Sequence, residues 1–333
     1  MTSVLIRGEG IAGSCCSRLL DNAGVHTAME ALNRPKLPAI MLGETTQKLL
    51  RDVFEREDLF AGFPRISRRV VLWGLRAEPI ALPHSAVVVS EKELLDRIHS
   101  GSGIRESAEC DSPDWTVFAS SPLPPSSVEY HFGFRPARAS SVTLEKKSDI
   151  ESCWIESLES GWLFLLPGQN RTGWLLSVGD SAEALLETSR LIRNQVSSVS
   201  PERGEFPSHP RVAFPLAAPG WLACGSAALG FDPLCGDGAG NAVREAILGS
   251  AAIRAAIDAG EAESLASHYQ TRLLGGFNRH VGLCFEFYKS GRLSPWWERQ
   301  LDDLQRGLSW CSEHLAGIHG ARYRLNGFTL EGV

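Results

Sequence analysis

Near the start of the chain, Gly8-Glu9-Gly10-Ile11-Ala12-Gly13 sets three glycines at the spacing GxGxxG. Such a run can hold a pyrophosphate when it ends a strand and opens a helix. The first glycine makes the tight turn, the second lets backbone N–H groups approach the phosphates, and the third permits close helix packing. Both flanks fit. SVLIR is a short apolar run that reads as a buried strand, and IAGSCCSRLLDNAG reads as a helix with small residues on its first turn. The helix N-terminus would present free N–H donors and a positive dipole end to the phosphates. Glu30 follows Gly8 by 22 residues, at the end of the next strand, VHTAME, where it can accept ribose hydroxyls. Taken alone, the triplet is also compatible with a tight turn beside a surface glutamate.

A second glycine-rich stretch, WLACGSAALGFDPLCGDGAGNAVREAILG, narrows the chemistry. A strand ends at Cys224, and Gly225-Ser226-Ala227-Ala228 turns the chain. Asp232-Pro233 then leads into Gly236-Asp237-Gly238-Ala239 at the start of an alanine-rich helix. A second glycine-lined helix N-terminus suits a second anionic centre, which in a reduced flavin is the N1–C2=O edge of the ring. Paired with the first loop, it shifts the reading from any dinucleotide to FAD. Cys235 lies inside this loop, as a residue facing the flavin or as a small side chain tolerated in a tight turn.

The elements that must position these loops are legible in outline. TTQKLLRDVF, Thr45–Phe54, reads as a helix with Thr45 at its N-cap. Strands are expected at Arg69–Trp73, Pro79–Leu82 and Ala86–Val89. Ser90 and Glu93 then form a capping box for the helix SEKELLDRIHS. Between Ser100 and Ser127 the chain is polar and Pro/Ser-rich around one strand, WTVFAS. From Val128 to Gly179 it alternates at period two through VEYHFGF, ASSVTLEK, ESCWIESL, GWLFLLP and TGWLLSVG, which predicts an antiparallel sheet. Ala182–Ser197 and Glu263–Ser312 read as helical. The fold class is therefore α/β: a doubly wound FAD-binding domain formed from residues 1–121 and 180–333, with an inserted antiparallel β-sheet substrate domain at 122–179.

The 333 residues carry a net charge of −6 with no Lys/Arg run longer than two, which argues against nucleic acid or an anionic membrane as partner. No stretch approaches the ~20 apolar residues of a membrane span, and the N-terminus has no signal-peptide pattern, so a cytoplasmic location is expected. The eight cysteines include no CxxC, and the nine histidines show neither metal-ligand spacing nor a Ser/His/Asp arrangement; no metal is expected. Of the nine tryptophans most should be core, with Trp296-Trp297 set in a helix–turn junction where a partner surface could form.

GxGxxG with Glu30, the DPLCGDG loop and SEKELLDRI together resemble the superfamily of FAD-dependent aromatic hydroxylases, flavin-dependent halogenases and geranylgeranyl reductases, over most of the chain. RPKLPAIMLGETTQKLLRDVF resembles the halogenase flavin strap, and ESGWLFLLPG resembles the halogenase W-x-W-x-I-P strand. The nearest resemblance is to the small flavoproteins that mature tryptophylquinone oxidases by oxygenating a tryptophan within a partner protein. It implies FAD as cofactor, held by Gly8, Gly10, Ile11, Ala12, Gly13, Glu30, Gly43, Glu44, Gly225, Ser226, Asp232, Pro233, Gly236, Asp237, Gly238 and Ala239.

Four departures from these relatives bear on activity. Where halogenases use a lysine ahead of a tryptophan, Arg68 and Arg69 precede Trp73, and arginine stays protonated and cannot relay as an amine. Phe164 replaces the second tryptophan of W-x-W. The hydroxylase Asp-Gly motif is absent near Ala119-Ser120-Ser121, and Ser226 stands where the family's ribitol-binding aspartate is expected. The chain then reads as an FAD-dependent monooxygenase of an aromatic or indole group, such as a protein-bound tryptophan, supplied with electrons by an external reductant or flavin reductase. No catalytic residue is assigned, because flavin oxygenation asks little acid–base chemistry of the protein. A reductase of a hydrophobic small molecule and a flavin-binding maturation partner without turnover are the alternatives.

Overall fold

The computed structural model describes residues 2–100, 112–124, 126–202, 204–235, 237–316 and 323–332. Its helices are α1 (Ile11–Asn22), α2 (Glu44–Phe54), α3 (Glu91–His99), α4 (Ala182–Thr188), α5 (Gly238–Ala259), α6 (Ala262–Lys289) and α7 (Pro295–Leu315). None of them is long and apolar enough to cross a membrane.

The first layer is a five-stranded sheet in the spatial order Ala217–Ala218, Trp221–Ala223, Trp115–Phe118, Ser3–Arg7, His26–Glu30. All neighbours but the first pair run parallel. Val4 and Ile6 are fully buried, and they share one core with Cys15, Cys16 and Leu20 of α1 and Val243, Ala246 and Ile247 of α5. Small residues on α1 and α5 let these two helices pack closely over the sheet.

The second layer is a nine-stranded sheet. Eight strands run in the order Val196–Val199, Pro136–Leu144, Thr172–Gly179, Gly161–Pro167, Ser152–Leu158, Arg65–Leu72, Ile80–Val89, Ile40–Gly43, and Glu205–Pro207 also pairs with Pro136–Leu144. Pairing is antiparallel except between Arg65–Leu72 and Ser152–Leu158. Period-two alternation gives this sheet two working faces. Trp162, Phe164 and Leu166 point into the main core, whereas Leu163 and Leu165 join a second core with Trp154, Leu175 and the α4 residues Leu185 and Leu186. The mixed α/β class is as the sequence analysis predicts, and strands from 40–89 join those from 136–207 in one sheet.

Three local expectations are corrected. VEYHFGF does not join the large sheet; its strand, Val128–His131, pairs with Arg211–Phe214 in a separate three-stranded sheet completed by Leu229–Gly230. The helix expected over 182–197 stops at Thr188. The reason is Glu156, 1% exposed, whose carboxylate accepts from the Ser189 hydroxyl and from the backbone N–H groups of Arg190, Leu191 and Ile192. A buried carboxylate satisfied in this way competes with helical bonding at those residues. α2 starts one residue early, with Gly43 rather than Thr45 at its N-cap.

The sheet face and the second glycine stretch are joined by a buried polar cluster. Arg135, 1% exposed, pairs with Asp232, also 1% exposed, and donates through Nε to Gln300 Oε1 at 3.0 Å. The Asp232 carboxylate also accepts from the Tyr288 hydroxyl at 2.9 Å, and that hydroxyl in turn accepts from Trp162 Nε1 at 3.0 Å. The Arg135 guanidinium lies 4.4 Å over the Tyr288 ring. Removing one charge from such a pair leaves the other buried and unanswered. Asp232→Asn should therefore destabilise the protein by about 3–5 kcal/mol in urea unfolding, far more than a surface Asp→Asn exchange.

Candidate functional site

The first glycine loop is shaped by contacts that leave no room for side chains. Gly8 has φ of +114°, in the left-handed half of backbone space, and a Cβ there would lie 2.6 Å from Ser120 Oγ. A Cβ on Gly13 would lie 1.9 Å from the Gly8 carbonyl oxygen, so the first turn of α1 rests directly on the loop. Gly10 is the N-cap of α1 and has no side chain to satisfy the N–H groups of Ile11, Ala12 and Gly13. Glu30 ends its strand in register with Arg7, whose guanidinium donates to it at 2.7 and 3.3 Å. Its carboxylate is thus oriented by a fork and keeps a share of solvent exposure.

Two charged residues that sequence reasoning missed complete this loop. Arg34 lies over Gly10, with its Nη2 2.9 Å from where a Gly10 Cβ would stand. It is held there by Glu91, a 2% exposed residue at the start of α3 that also accepts from the Leu37 N–H at 2.9 Å. Glu9 accepts from Lys36 Nζ at 2.5 Å and from the Leu32 N–H at 2.8 Å. Burial alone would raise its pKa, but those donors outweigh it and hold the carboxyl at about 2. Arg34 and Glu91 are 57 positions apart, so no local spacing could reveal the pair.

The second stretch and the strap bring two more helix N-termini to the same region. Gly43 caps α2 without a side-chain bond, and a Cβ on Gly43 would meet nothing within 4 Å. Glu44 and Thr45, at the first two positions of α2, are exposed. Asp237 is the N-cap of α5; its carboxylate makes no capping bond and instead accepts from Thr46 Oγ1 at 3.0 Å and Arg244 Nη1 at 2.6 Å, tying α2 to α5. Gly238, first in α5, also faces open space, and Ala239 follows it half-buried. α1, α2 and α5 contact one another pairwise. Gly236 and the Cys235 side chain lie outside the described residues.

The other predicted site residues play supporting parts. The Asp232 carboxylate is occupied by Arg135, Tyr288 and the Leu234 N–H at 2.8 Å, so it fixes the loop that begins at Pro233. Gly225 has φ of +56° and packs on Ala12, where an added Cβ would come within 2.8 Å of the Ala12 Cβ. Ser226 is exposed, and its hydroxyl reaches the Ala119 carbonyl at 3.4 Å. Among the described residues no group of three or more His, Cys, Asp or Glu side chains comes together as a metal site. Trp297 is 1% exposed and donates to the Leu158 carbonyl at 2.8 Å, so it is core, while Trp296 stacks on Tyr288.

The donor set suits a flavin dinucleotide: glycine cradles too tight for any Cβ, uncapped helix ends, and a guanidinium over the first loop. Beneath Gly225 lies a further unpredicted group, Glu245 of α5, 5% exposed. Its Oε2 accepts the Gly225 N–H at 2.6 Å, its Oε1 has no partner, and burial raises its pKa to about 8. The unfolded chain releases this proton near 4.5, so between the two values only the folded state holds it, and stability falls as pH rises through that window. In Glu245→Gln, which cannot ionise, that loss should disappear. Its melting temperature, measured from pH 5 to 8, should fall less than that of the unaltered protein, which loses at most ~4 kcal/mol over these three pH units.

No protein-family model matches the sequence, and no curated protein does. Solved structures do match in fold. The flavin-dependent halogenase CmlS superposes with a TM-score of 0.72 at 19% identity, covering 94% of this chain and 71% of that one. QhpG, a peptidyl tryptophan dihydroxylase essential for tryptophylquinone cofactor biogenesis, gives 0.71 at 16% identity, covering 99% and 86%. A single-substitution variant of Klebsiella pneumoniae HpxO, complexed with FAD, gives 0.61 at 15% identity, covering 95% and 98%. The chain therefore has the fold of flavin-dependent halogenases and monooxygenases.

Proposed function

We propose that this chain is an FAD-dependent monooxygenase that hydroxylates an aromatic or indole group, with a tryptophan side chain in a partner protein as its substrate. The observation that carries the reading is the convergence of three glycine-led, uncapped helix N-termini, at Gly10, Gly43 and Asp237-Gly238, beside the large sheet. Three positive dipole ends in one region suit a ligand with separated anionic centres, which a dinucleotide with a reducible ring provides. The similarity of fold to a peptidyl tryptophan dihydroxylase supports the substrate class.

When bound, FAD would supply the activation of molecular oxygen. The chain's own residues do the rest. Gly8, Gly10 and Gly13 hold the backbone donors of α1 at the pyrophosphate, Glu30 is turned outward by Arg7 for the ribose, and Arg34 adds a cation above Gly10. Gly43, Asp237 and Gly238 form the second N-terminal pair, and Ser226 offers a hydroxyl beside the turn at Gly225. Trp162, Phe164 and Leu166 pack the inner sheet face into the main core and so give the region a rigid apolar floor. Electrons come from an external reductant or flavin reductase, in keeping with the absent Asp-Gly motif.

Gly13→Ala should abolish flavin binding or folding, since the new methyl would meet the Gly8 carbonyl oxygen at 1.9 Å. Bound flavin per chain and circular dichroism separate those outcomes, and a folded variant with full flavin content would contradict the assigned cradle. For the reaction, FAD-loaded protein, reductant and the unmodified tryptophan-bearing partner are incubated under oxygen-18. Mass spectrometry should find label on the tryptophan; turnover without oxygen, or an unlabelled product, would overturn the monooxygenase reading.

A further inference from the structure

Arg68 and Arg69 are adjacent in sequence, but the large sheet separates them. Arg68 pairs with Asp149. Arg69 lies in register with Cys153 on the neighbouring strand, and Cys153 belongs to the main core, whereas the next residues, Val70 and Trp154, face the second core. Arg69 therefore stands on the inward face, the one that also carries Trp162 and Phe164. It donates through Nη2 to His84 Nε2 at 3.2 Å. Because arginine can only donate, that ring nitrogen is unprotonated and His84 is neutral. Burial, with Arg69 second, also lowers the His84 pKa.

The guanidinium is left electrostatically unanswered. Its Nε is buried without an acceptor, and no carboxylate pairs with Arg69 among the described residues. A partly buried cation facing only a neutral imidazole and a thiol pays for desolvation without Coulombic return. The place is also accessible: Leu82, directly opposite Arg69 on the adjacent strand, is 45% exposed. On the far side of that strand Gly43 pairs with Ala86, two residues from His84. Two strand spacings of ~4.8 Å, with the four-residue step of ~13 Å from Leu82 to Ala86, put Arg69 roughly 16 Å from the Gly43 turn on the same sheet.

We propose that Arg69, supported by His84, is a substrate-binding site for a carboxylate carried beside the aromatic ring that is oxidised. This rests on the oxidoreductase reading for the identity of the aromatic group, but not for the anion site itself. The planar fork of a guanidinium receives a carboxylate through two parallel N–H bonds, and the half-buried setting strengthens them. The carboxylate can belong to a free aromatic acid or to an acidic side chain next to a tryptophan in a peptide.

Isothermal titration of the FAD-loaded protein distinguishes these sources. One pair of probes is indole-3-propionate against indole-3-propanamide. The other is N-acetyl-Trp-Asp-amide against N-acetyl-Trp-Asn-amide. In at least one pair the acid should bind ~10-fold or more tightly than its neutral analogue, as expected for a charge-assisted bidentate contact. Arg69→Gln should remove that preference while flavin content and melting temperature stay unchanged, and Arg69→Lys should keep part of it. Equal binding of acid and neutral probe in both pairs, including no binding of either, overturns the proposal, as does a preference that survives in Arg69→Gln. If the protein takes up no FAD, the oxidoreductase reading fails, and the same titrations on the unloaded chain still decide the role of Arg69.

Discussion

The pairing of Arg135 with Asp232 is the constraint to which the rest of the architecture is fastened. Both charges are withdrawn from water, and neighbours distant along the chain supply most of their hydrogen bonds, with Arg135 Nη2 left without a partner. Gln300 comes from α7, Tyr288 from α6, and Trp162 from the sheet through Tyr288. His280 accepts the Asp232 N–H at 2.9 Å. The chain from Asp232 to Leu234 is consequently held by the large sheet and the C-terminal helices together.

The convergence of helix N-termini follows from the same scaffold. α1 is pressed onto its loop by the Gly13–Gly8 contact, α5 is linked to α2 through Asp237 and Thr46, and Gly225 rests on Ala12. The contacts at Gly13 and Gly225 leave no room for a larger side chain, so the close packing around α1 comes from deleting side chains, while α2 and α5 are tied by the Asp237–Thr46 bond. Arg34 is the exception, a cation held in place by a carboxylate beneath it. The opposing fields of these helix ends are offset by packing in one continuous core.

What the sequence makes legible is what is local. The strand–glycine–helix order at the first glycine loop, the capping box at Ser90 and Glu93, and the strand over Gly161–Pro167 depend on neighbours within a few residues, and each is found where local rules put it. What it conceals is set by partners distant along the chain. The helix expected through Ser197 is cut short because Glu156, on another strand, gathers the backbone donors of Arg190, Leu191 and Ile192. The alternating VEYH run has the right period for the large sheet but finds its partner at Arg211–Phe214. Arg34 with Glu91, Arg135 with Asp232, and Gly225 with Glu245 are recognisable only once the fold has brought them together. Asp232 illustrates the limit well: its place beside the second glycine stretch is legible, whereas the use of its carboxylate is not.

The two-faced sheet also bears on how the molecule yields to stress. The inward side chains of Gly161–Pro167 are locked into the main core. The outward ones share a small cluster of their own with α4 and Ile192. Beside that outer cluster, the buried carboxylate of Glu156 holds the segment from Ser189 to Ile192. The sheet thus acts as a partition between two levels of local stability, a tolerant outer layer and a stiff inner one. Heat should therefore be absorbed first on the outer side, while the larger inner core keeps its geometry.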